Sequence, residues 1–444
     1  MNRLLRYGNG GLMAALVCAL VFVGTADAQN VSNRPSTSKK GSLLVLPNVE
    51  LKWDANNELV QDTIISVTND NNEDVFVHFL FVNGDDYRAA EFCCDPPLLV
   101  EREHVGWNKQ NWTAEWTGNE SNYFSLNSGL PKGAPPFAGL DNGPEGPGRP
   151  DDEAGTGRVL RGFVLAWAVD NTGYQISFNH LAATVTTVRY DYLTASEYNA
   201  YAFQAIDQTV GNRVGATPGQ LNMDGTEYDY NFNRLLLDFF GSGATPFGAN
   251  GITAMLETDV TLLPMIQDLR QNNDGPVHTK AKFDVWNQNE DFLSHSDHCL
   301  QCWDQVLLSN ISLPNNFVVG QLQTDKGKAR IDGEDSPTVC DAPACCDRGD
   351  DSCVEDFEFD NPGLTPEICS EDAPLLGVAN KIIAFSGAAM GKAYTAVTMT
   401  GQGTETGYIK SDLPSAPEPA QVGDVTSGRD GGSISSVKRS SSNR

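Results

Sequence analysis

The chain has 444 residues, with 58 acidic against 30 basic side chains and a formal net charge of −28. A surface this acidic repels phosphate backbones, so nucleic acid is excluded as an expected partner. Beyond the N-terminus no apolar run approaches the roughly 20 residues of a membrane span, so no transmembrane insertion is expected.

The first 28 residues have the order of a secretory signal peptide. Arg3 and Arg6 supply the positive region, residues 12–23 are apolar, and Ala26 and Ala28 are the small residues of a cleavage site. We therefore predict cleavage after Ala28. The mature protein is expected in the periplasm, at the cell surface or outside the cell.

After a linker at residues 29–41, short apolar or alternating runs separated by Asn, Asp and Gly clusters predict antiparallel strands. The run at 42–46 is predicted to end at Pro47-Asn48, and further strands are predicted at 49–53, 63–67 and 75–82. Together with later runs they predict a first β-rich lobe at residues 42–250.

Two segments of that lobe carry other signals. Residues 118–157 are rich in Gly and Pro and predict a long, mostly irregular loop. Thr194 and Glu197 fit a capping-box pattern, which predicts a short helix from Ala195 to Ile206.

The second half repeats the same pattern, with apolar side chains alternating against charged ones at 279–286. It predicts a second β-rich lobe at residues 251–410, followed by a Ser- and Gly-rich tail at 411–444 that is expected to be disordered. The fold class expected is mainly β: two antiparallel sandwich-like lobes of immunoglobulin type, a minor helix and an acidic loop tied by disulfides.

That acidic loop, residues 340–372, carries five of the ten cysteines. Excluding Cys18 of the signal peptide leaves nine, so one at least is free or paired with another chain. In an oxidising compartment the others are expected in disulfides, which would hold a loop that has little apolar area to bury. Their connectivity is left open by the sequence.

The densest cluster of chemically active residues is His295, His298, Cys299 and Cys302. Two thiolates spaced C-x-x-C could share a zinc ion with one of the histidines, or form a redox pair. We expect instead a Cys299–Cys302 disulfide beside two ordinary histidines, since exported proteins oxidise accessible thiols.

Calcium is the second metal considered, because carboxylate oxygens are its usual ligands. The candidates are Asp347, Asp350, Asp351 and Glu355 in the acidic loop. They lack the spacing of an EF-hand, so a solvated acidic loop is the simpler interpretation.

Trp107, Trp112 and Trp116 could form a surface that stacks against sugar rings, although packing in the core explains them more simply. The sequence contains no metalloprotease, nucleophile-elbow, dinucleotide or phosphate-loop motif.

Three stretches carry a resemblance. They are SLLVLPNVELKWDANNELVQDTIISVTN from Ser42, SEYNAYAFQAI from Ser196, and GPVHTKAKFDVWNQNE from Gly275. In these the chain resembles an uncharacterised family of exported bacterial proteins. The resemblance implies export and supplies no activity or site residues.

The function expected is therefore non-enzymatic: an envelope or extracellular protein that binds a protein or glycan partner or assembles with itself. The alternatives are a secreted carbohydrate-active hydrolase, which would need two carboxylates about 5–9 Å apart in a cleft, and a metal-binding or redox protein that uses Ca²⁺ or Zn²⁺.

Overall fold

The computed structural model describes residues 35–84, 109–139, 149–150, 157–219, 221–223, 225–232, 234–247, 252–265, 278–301, 303–311, 316–334, 373–386 and 391–401. Within them the protein is mainly β and its strands pair antiparallel in several sheets, as predicted. The predicted signal peptide, the acidic loop at 340–372 and the tail at 411–444 lie outside the described residues.

The first sheet is built from ten strands, β1 to β10. Their bounds are Leu43–Trp53, Leu59–Asn69, Val75–Asn83, Lys109–Trp116, Ser121–Ser125, Arg149–Pro150, Arg158–Val169, Leu181–Arg189, Thr194–Asn199 and Tyr201–Phe203.

Strands β11 to β20 form two further sheets of five strands each. Their bounds are Arg234–Phe240, Gly243–Phe247, Ile252–Pro264, His278–Asn287, Phe292–Gln301, Asp304–Leu307, Lys326–Glu334, Leu375–Ser386, Gly391–Thr398 and Thr400–Gly401.

The first sheet bends back on itself at the β1–β2 connection. Its strand order is β4-β3-β7-β1-β2-β8-β9, but β1 and β2 pair only at Lys52 with Gln61 and at Trp53 with Leu59. Apolar side chains from the two arms, such as Phe79 and Ile65, consequently meet in one buried cluster. Each arm covers the apolar face of the other.

Strand β1 continues through Pro47-Asn48, where the sequence predicts an end. The register with β7 shifts between Leu46 and Val49, so the two residues form a bulge inside one strand. Tyr198 satisfies the backbone that the bulge frees: its hydroxyl accepts from Asn48 N at 3.1 Å and donates to Asn48 O. Pro47 is tolerated because residues in a bulge need not donate a backbone hydrogen bond to the neighbouring strand, and proline has no N–H to donate.

The predicted helix at Ala195–Ile206 is wrong. Its residues form β9, which pairs with β8, and β10, which pairs with β1. Tyr198 and Tyr201 are buried there, and pairing with a β-branched neighbouring strand outweighs a local capping pattern. The α-helix among the described residues is one turn, α1 (Val319–Leu322), and 3₁₀ turns lie at Phe137–Gly139 and Leu308–Asn310.

The segment at 118–157 is more ordered than its composition predicts. Strand β5 pairs with β2, and Phe124 and Phe137 are completely buried in the core between the arms. Apolar anchors thus hold the described residues 118–139 of this Gly- and Pro-rich segment.

In the second half, the sheet orders are β15-β14-β17-β11-β20 and β12-β13-β18-β19, with β16 paired to β13. Strand β11 pairs with β17 along its whole length. The chain therefore passes from the first sheet to the other two between Phe203 and Arg234, and the lobe boundary at residue 250 stays a prediction.

The two strand systems share a core. One buried cluster contains Leu43 and Phe163 of the first sheet together with Phe239, Leu262 and Phe283 of the others. The outer face of the β3–β7–β1 arm is therefore buried by the second half of the chain over an apolar surface.

Among the described residues, no helix is long and apolar enough to cross a membrane.

Candidate functional site

A cavity of about 270 Å³ lies on the outer face of strands β4, β3 and β7. It is lined by His78, Leu80, Lys109, Asn111, Trp167, Gly173, Pro218 and Gly219. In the strand registers, His78 is opposite Trp167 and Leu80 is opposite Asn111. Because every second side chain of a strand points to the same face, these groups project together from the sheet.

The opposite wall comes from two turns held by buried polar contacts. Gln175, which is completely buried, donates from Nε2 to Thr217 O at 2.9 Å and accepts from Gly219 N at 2.9 Å. Gly173 has a φ of 88°, which an L residue with a side chain rarely adopts. The wall is thus fixed against the sheet by Gln175.

Asp170 organises the turn that carries Gly173. Its Oδ1 accepts from Thr172 N at 2.8 Å and from Tyr174 N at 3.1 Å, and its Oδ2 accepts from Arg213 Nη2 at 2.8 Å. The hydrogen bond from the Thr172 hydroxyl is the largest of the effects that hold the pKa of Asp170 far below its ordinary value. The carboxylate is therefore charged, and it anchors the turn.

His78 is held through both ring nitrogens. Nδ1 lies 2.7 Å from Thr113 Oγ1, and Nε2 lies 3.1 Å from Asn111 Oδ1. Since a carboxamide oxygen only accepts, Nε2 carries the proton and the Thr113 hydroxyl donates to Nδ1. Burial lowers the pKa of His78, so the ring is neutral near pH 7.

Trp167 contributes a buried donor to the lining. The residue is 3% exposed, and its Nε1 has no hydrogen-bond acceptor in the described part of the protein. Its ring lies beside His78, with 4.6 Å between centroids. A buried N–H without an acceptor costs about 1–3 kcal/mol, so an oxygen that reached it would be bound favourably.

The chemistry of the lining suits binding better than catalysis. Lys109 brings a positive charge and Asn111 an amide, while none of the described lining residues is a carboxylate. His78 has both nitrogens engaged and could act as a base only after losing a hydrogen bond. The arrangement can hold and orient a ligand that carries oxygen atoms.

The structure separates the predicted zinc ligands. His295, His298 and Cys299 all lie on strand β15, where alternation places His298 on the face opposite to the other two. Residues His295 and Cys299 are four apart, which is about 13 Å along a strand, too far for one tetrahedral ion. Cys302 lies outside the described residues.

Both histidines have carboxylate partners instead of a shared ion. His295 Nδ1 bonds to the buried Asp284, which also pairs with Arg330. His298 Nε2 lies 2.7 Å from Asp304 Oδ2. The first pair lies within one sheet, and the second joins β15 to β16 of the other five-stranded sheet.

Cys299 is bonded in a disulfide, and its partner is not among the described residues. The pairing with Cys302 therefore stays a prediction. Within the described chain no group of three or more His, Cys, Asp or Glu side chains could hold a metal ion. The calcium candidates Asp347, Asp350, Asp351 and Glu355 lie outside the described residues.

The tryptophans considered for sugar stacking pack in the core. Trp116 is buried, and its Nε1 donates to Val67 O at 3.3 Å. Trp112 lies 5.0 Å from Phe79 and 5.4 Å from Phe124, measured between ring centroids. The core interpretation holds for these two rings, while Trp107 lies outside the described residues.

A second cluster of ionisable groups lies between the strand systems. Glu50 and Asp259 are 7% and 9% exposed. Burial is the largest influence on both pKa values. It raises that of Asp259 to about 6, whereas for Glu50 the nearby Lys52, Arg189 and Arg161 outweigh it and lower the pKa. Asn380 Nδ2 donates to Asp259 at 2.8 Å, so the carboxylate is already paired.

Sequence reasoning missed the cavity because its residues resemble ordinary strand residues. Trp167 falls in an apolar run, and His78 falls in the run VFVHFLFV. A polar His within such an apolar run was the available signal, but the pairing of β3 with β7 and β4 is needed to bring its neighbours together.

Comparison of the sequence with known protein families finds no matching family, and comparison with curated proteins finds no match. The fold and the cavity therefore define only a class: a mainly β protein with a sheet-face cavity suited to an oxygen-bearing ligand.

Proposed function

We propose that this chain is an exported, non-catalytic binding protein that holds a sugar unit of a glycan in the cavity on β3, β4 and β7. The observation that carries the proposal is the side chain of Trp167, which lines the cavity and whose buried indole N–H has no acceptor among the described residues. A hydroxyl or ring oxygen of a sugar would supply that acceptor.

The remaining lining groups match the same ligand chemistry. The Asn111 amide nitrogen makes no hydrogen bond with the described residues and can donate to a hydroxyl. Lys109 adds a positive charge to the lining, and the largely buried Leu80 and Trp167 give it apolar character that suits the C–H groups of a pyranose. A small cavity with a few convergent polar groups is typical of ligand sites.

A hydrolase is the weaker proposal for the same cavity. Glycosidases use two carboxyl groups about 5–9 Å apart, and the described lining contains none. The pair with divergent pKa values, Glu50 and Asp259, is buried and hydrogen-bonded at the junction of the strand systems. We assign that pair a structural role.

Export is proposed from the order of charged, apolar and small residues at positions 1–28. We also propose that the first sheet has an immunoglobulin-like sandwich architecture. Its support is the bend at β1–β2, which sets two antiparallel arms face to face across one core. Binding residues are commonly positioned by a rigid scaffold of this kind.

The proposal is tested by titrating chain 29–444 calorimetrically with galactose, N-acetylglucosamine and galacturonate. We expect binding of at least one sugar and a loss of about tenfold in affinity for Asn111→Ala, since one hydrogen bond of about 1.4 kcal/mol is removed.

Asn289→Ala is the matched control, because Asn289 is an exposed residue in the turn between β14 and β15. Its affinity should equal that of the unchanged chain. Equal affinities for Asn111→Ala and the unchanged chain would place the ligand elsewhere. Release of reducing ends from a polysaccharide would favour the hydrolase.

A further inference from the structure

A second surface, at the far end of the first sheet, combines exposed aromatic rings with cations. It consists of Arg189 at the end of β8, Tyr190 and Tyr192 in the turn before β9, and Lys392 and Tyr394 on β19. We call it the tyrosine–cation patch. Strands β4 and β9 are at opposite ends of the sheet order, so the patch is separate from the cavity.

Rings and cations interleave within the patch. The Tyr192 and Tyr394 ring centroids are 6.0 Å apart. Arg189 Cζ lies 4.1 Å from the Tyr394 centroid, and Lys392 Nζ lies 4.4 Å from the Tyr192 centroid. Cation–π contacts of this kind hold the side chains in a defined arrangement while they remain at the surface.

The patch keeps apolar surface in solvent. Tyr190 is 46% and Tyr192 42% exposed, and the adjoining Leu193 is 91% exposed with a φ of 51°. A leucine in the left-handed region costs about 1 kcal/mol. Strain and exposure together at one turn are typical of a site of interaction.

The local charge differs from that of the whole molecule. The patch holds two cationic side chains, Arg189 and Lys392, and one carboxylate, Asp191, on a chain of net charge −28, and Arg189 also attracts the buried Glu50 and Asp259. Burial lowers the pKa of Lys392, but Tyr192 and Tyr394 outweigh it and raise the pKa, so the ammonium is charged throughout the physiological range.

We infer that the tyrosine–cation patch binds an acidic polysaccharide, with its rings against the C–H faces of the sugars and its cations on their carboxylates. This inference does not depend on the cavity. Arg and Lys supply the charge-assisted hydrogen bonds that carboxylates accept. Spaced aromatic rings suit a polymer of repeating rings better than a compact anion.

The net negative charge of the protein favours polyanions of low charge density over those of high charge density. Duplex DNA carries a charge every 1.7 Å or so along its axis and would be repelled by the surrounding carboxylates. A uronate polymer carries at most one charge per sugar.

The test uses native gel electrophoresis of chain 29–444 through gels that contain polygalacturonate or, for comparison, neutral dextran. We expect retardation by polygalacturonate that weakens as salt is raised. Tyr192→Ser and Lys392→Gln should each raise the apparent dissociation constant about tenfold.

Matched controls separate the patch from the rest of the surface. The control variants are Tyr123→Ser, at a residue 51% exposed on β5, and Lys328→Gln, at an exposed residue on β17. Both variants should bind the polymer like the unchanged chain. Asn111→Ala should also bind the polymer normally, because Asn111 lines the cavity and lies outside the patch. Absent retardation, equal retardation of patch and control variants, or retention by phosphatidylglycerol vesicles in place of the polymer would overturn the inference.

Discussion

Asp259 lies where the two strand systems meet, and its surroundings determine how its charge affects stability. Asn380 and Gln305 donate hydrogen bonds to it, Arg189 attracts it and Glu50 repels it. Burial outweighs the favourable contacts and raises the pKa of the carboxyl from 3.8 to about 6. A buried acid of this kind binds its proton more tightly in the folded state than in the unfolded one.

The sign of the pH effect follows from that difference. Between pH 4 and pH 6 the folded protein holds more protons than the unfolded chain, so the free energy of unfolding falls as pH rises. The contribution is fully present below pH 4 and lost above pH 6. For a pKa difference of about 2 it amounts to roughly 3 kcal/mol.

We predict that Asp259→Asn removes this part of the pH dependence and raises the urea midpoint at pH 8. The measurement is urea unfolding at pH 4.5 and pH 8. Asp238→Asn is the control, because Asp238 has a side chain 74% exposed and should leave the pH dependence unchanged. An unaltered slope in Asp259→Asn would mean that the carboxyl titrates normally.

At the scale of the element, β10 connects the two strand systems through one hydroxyl. Tyr201 OH lies 2.6 Å from Met399 O and 2.8 Å from Gly377 O, and it accepts from Gly377 N at 3.1 Å. The side chain is completely buried, with its ring 5.9 Å from that of Phe232, between centroids.

We predict that Tyr201→Phe lowers the free energy of unfolding by about 1–3 kcal/mol, because it leaves the Gly377 N–H buried without this acceptor. The ring is kept, so packing changes little. The measurement is the urea midpoint. Tyr123→Phe is the control, since that residue is exposed. A Tyr201→Phe midpoint within error of the unchanged chain would contradict the bridging role.

Periodicity predicted many of the strands, and at 279–286 the alternating Ala281, Phe283 and Val285 are buried. At 49–53 both faces are buried, because Glu50 is buried together with Val49 and Leu51. Predictions from local sequence patterns failed where pairing with a neighbouring strand determines the structure. The capping signal at Thr194–Glu197 belongs to a strand because β8 lies beside it. Pro47 suggests an end, yet Tyr198, 150 residues away in sequence, stabilises a bulge there.

The cavity is less predictable than the strands for the same reason. Its lining comes from β3, β4, β7 and two turns, and no local pattern specifies that His78 stands beside Trp167. The cluster at His295–Cys302 was conspicuous in sequence because its residues are consecutive. Strand β15 then places His298 on one face and His295 and Cys299 on the other.

At the scale of the whole molecule, two strand systems around shared cores give a rigid support for surface sites. The face of the first sheet that is covered elsewhere by the second half of the chain opens at β3, β4 and β7. The far end of the sheet carries the tyrosine–cation patch. Such a scaffold positions side chains for binding without any moving part.

The most direct test of the binding account is the indole N–H resonance of Trp167 in a ¹H–¹⁵N spectrum of chain 29–444. The seven tryptophans give few indole signals, and Trp167→Phe assigns the relevant one. On addition of the sugar that binds most tightly, we predict that this resonance shifts downfield as Nε1 gains an acceptor. The Trp116 indole, already bonded to Val67 O, should stay in place. A saturating sugar that leaves the Trp167 resonance unmoved would contradict the account.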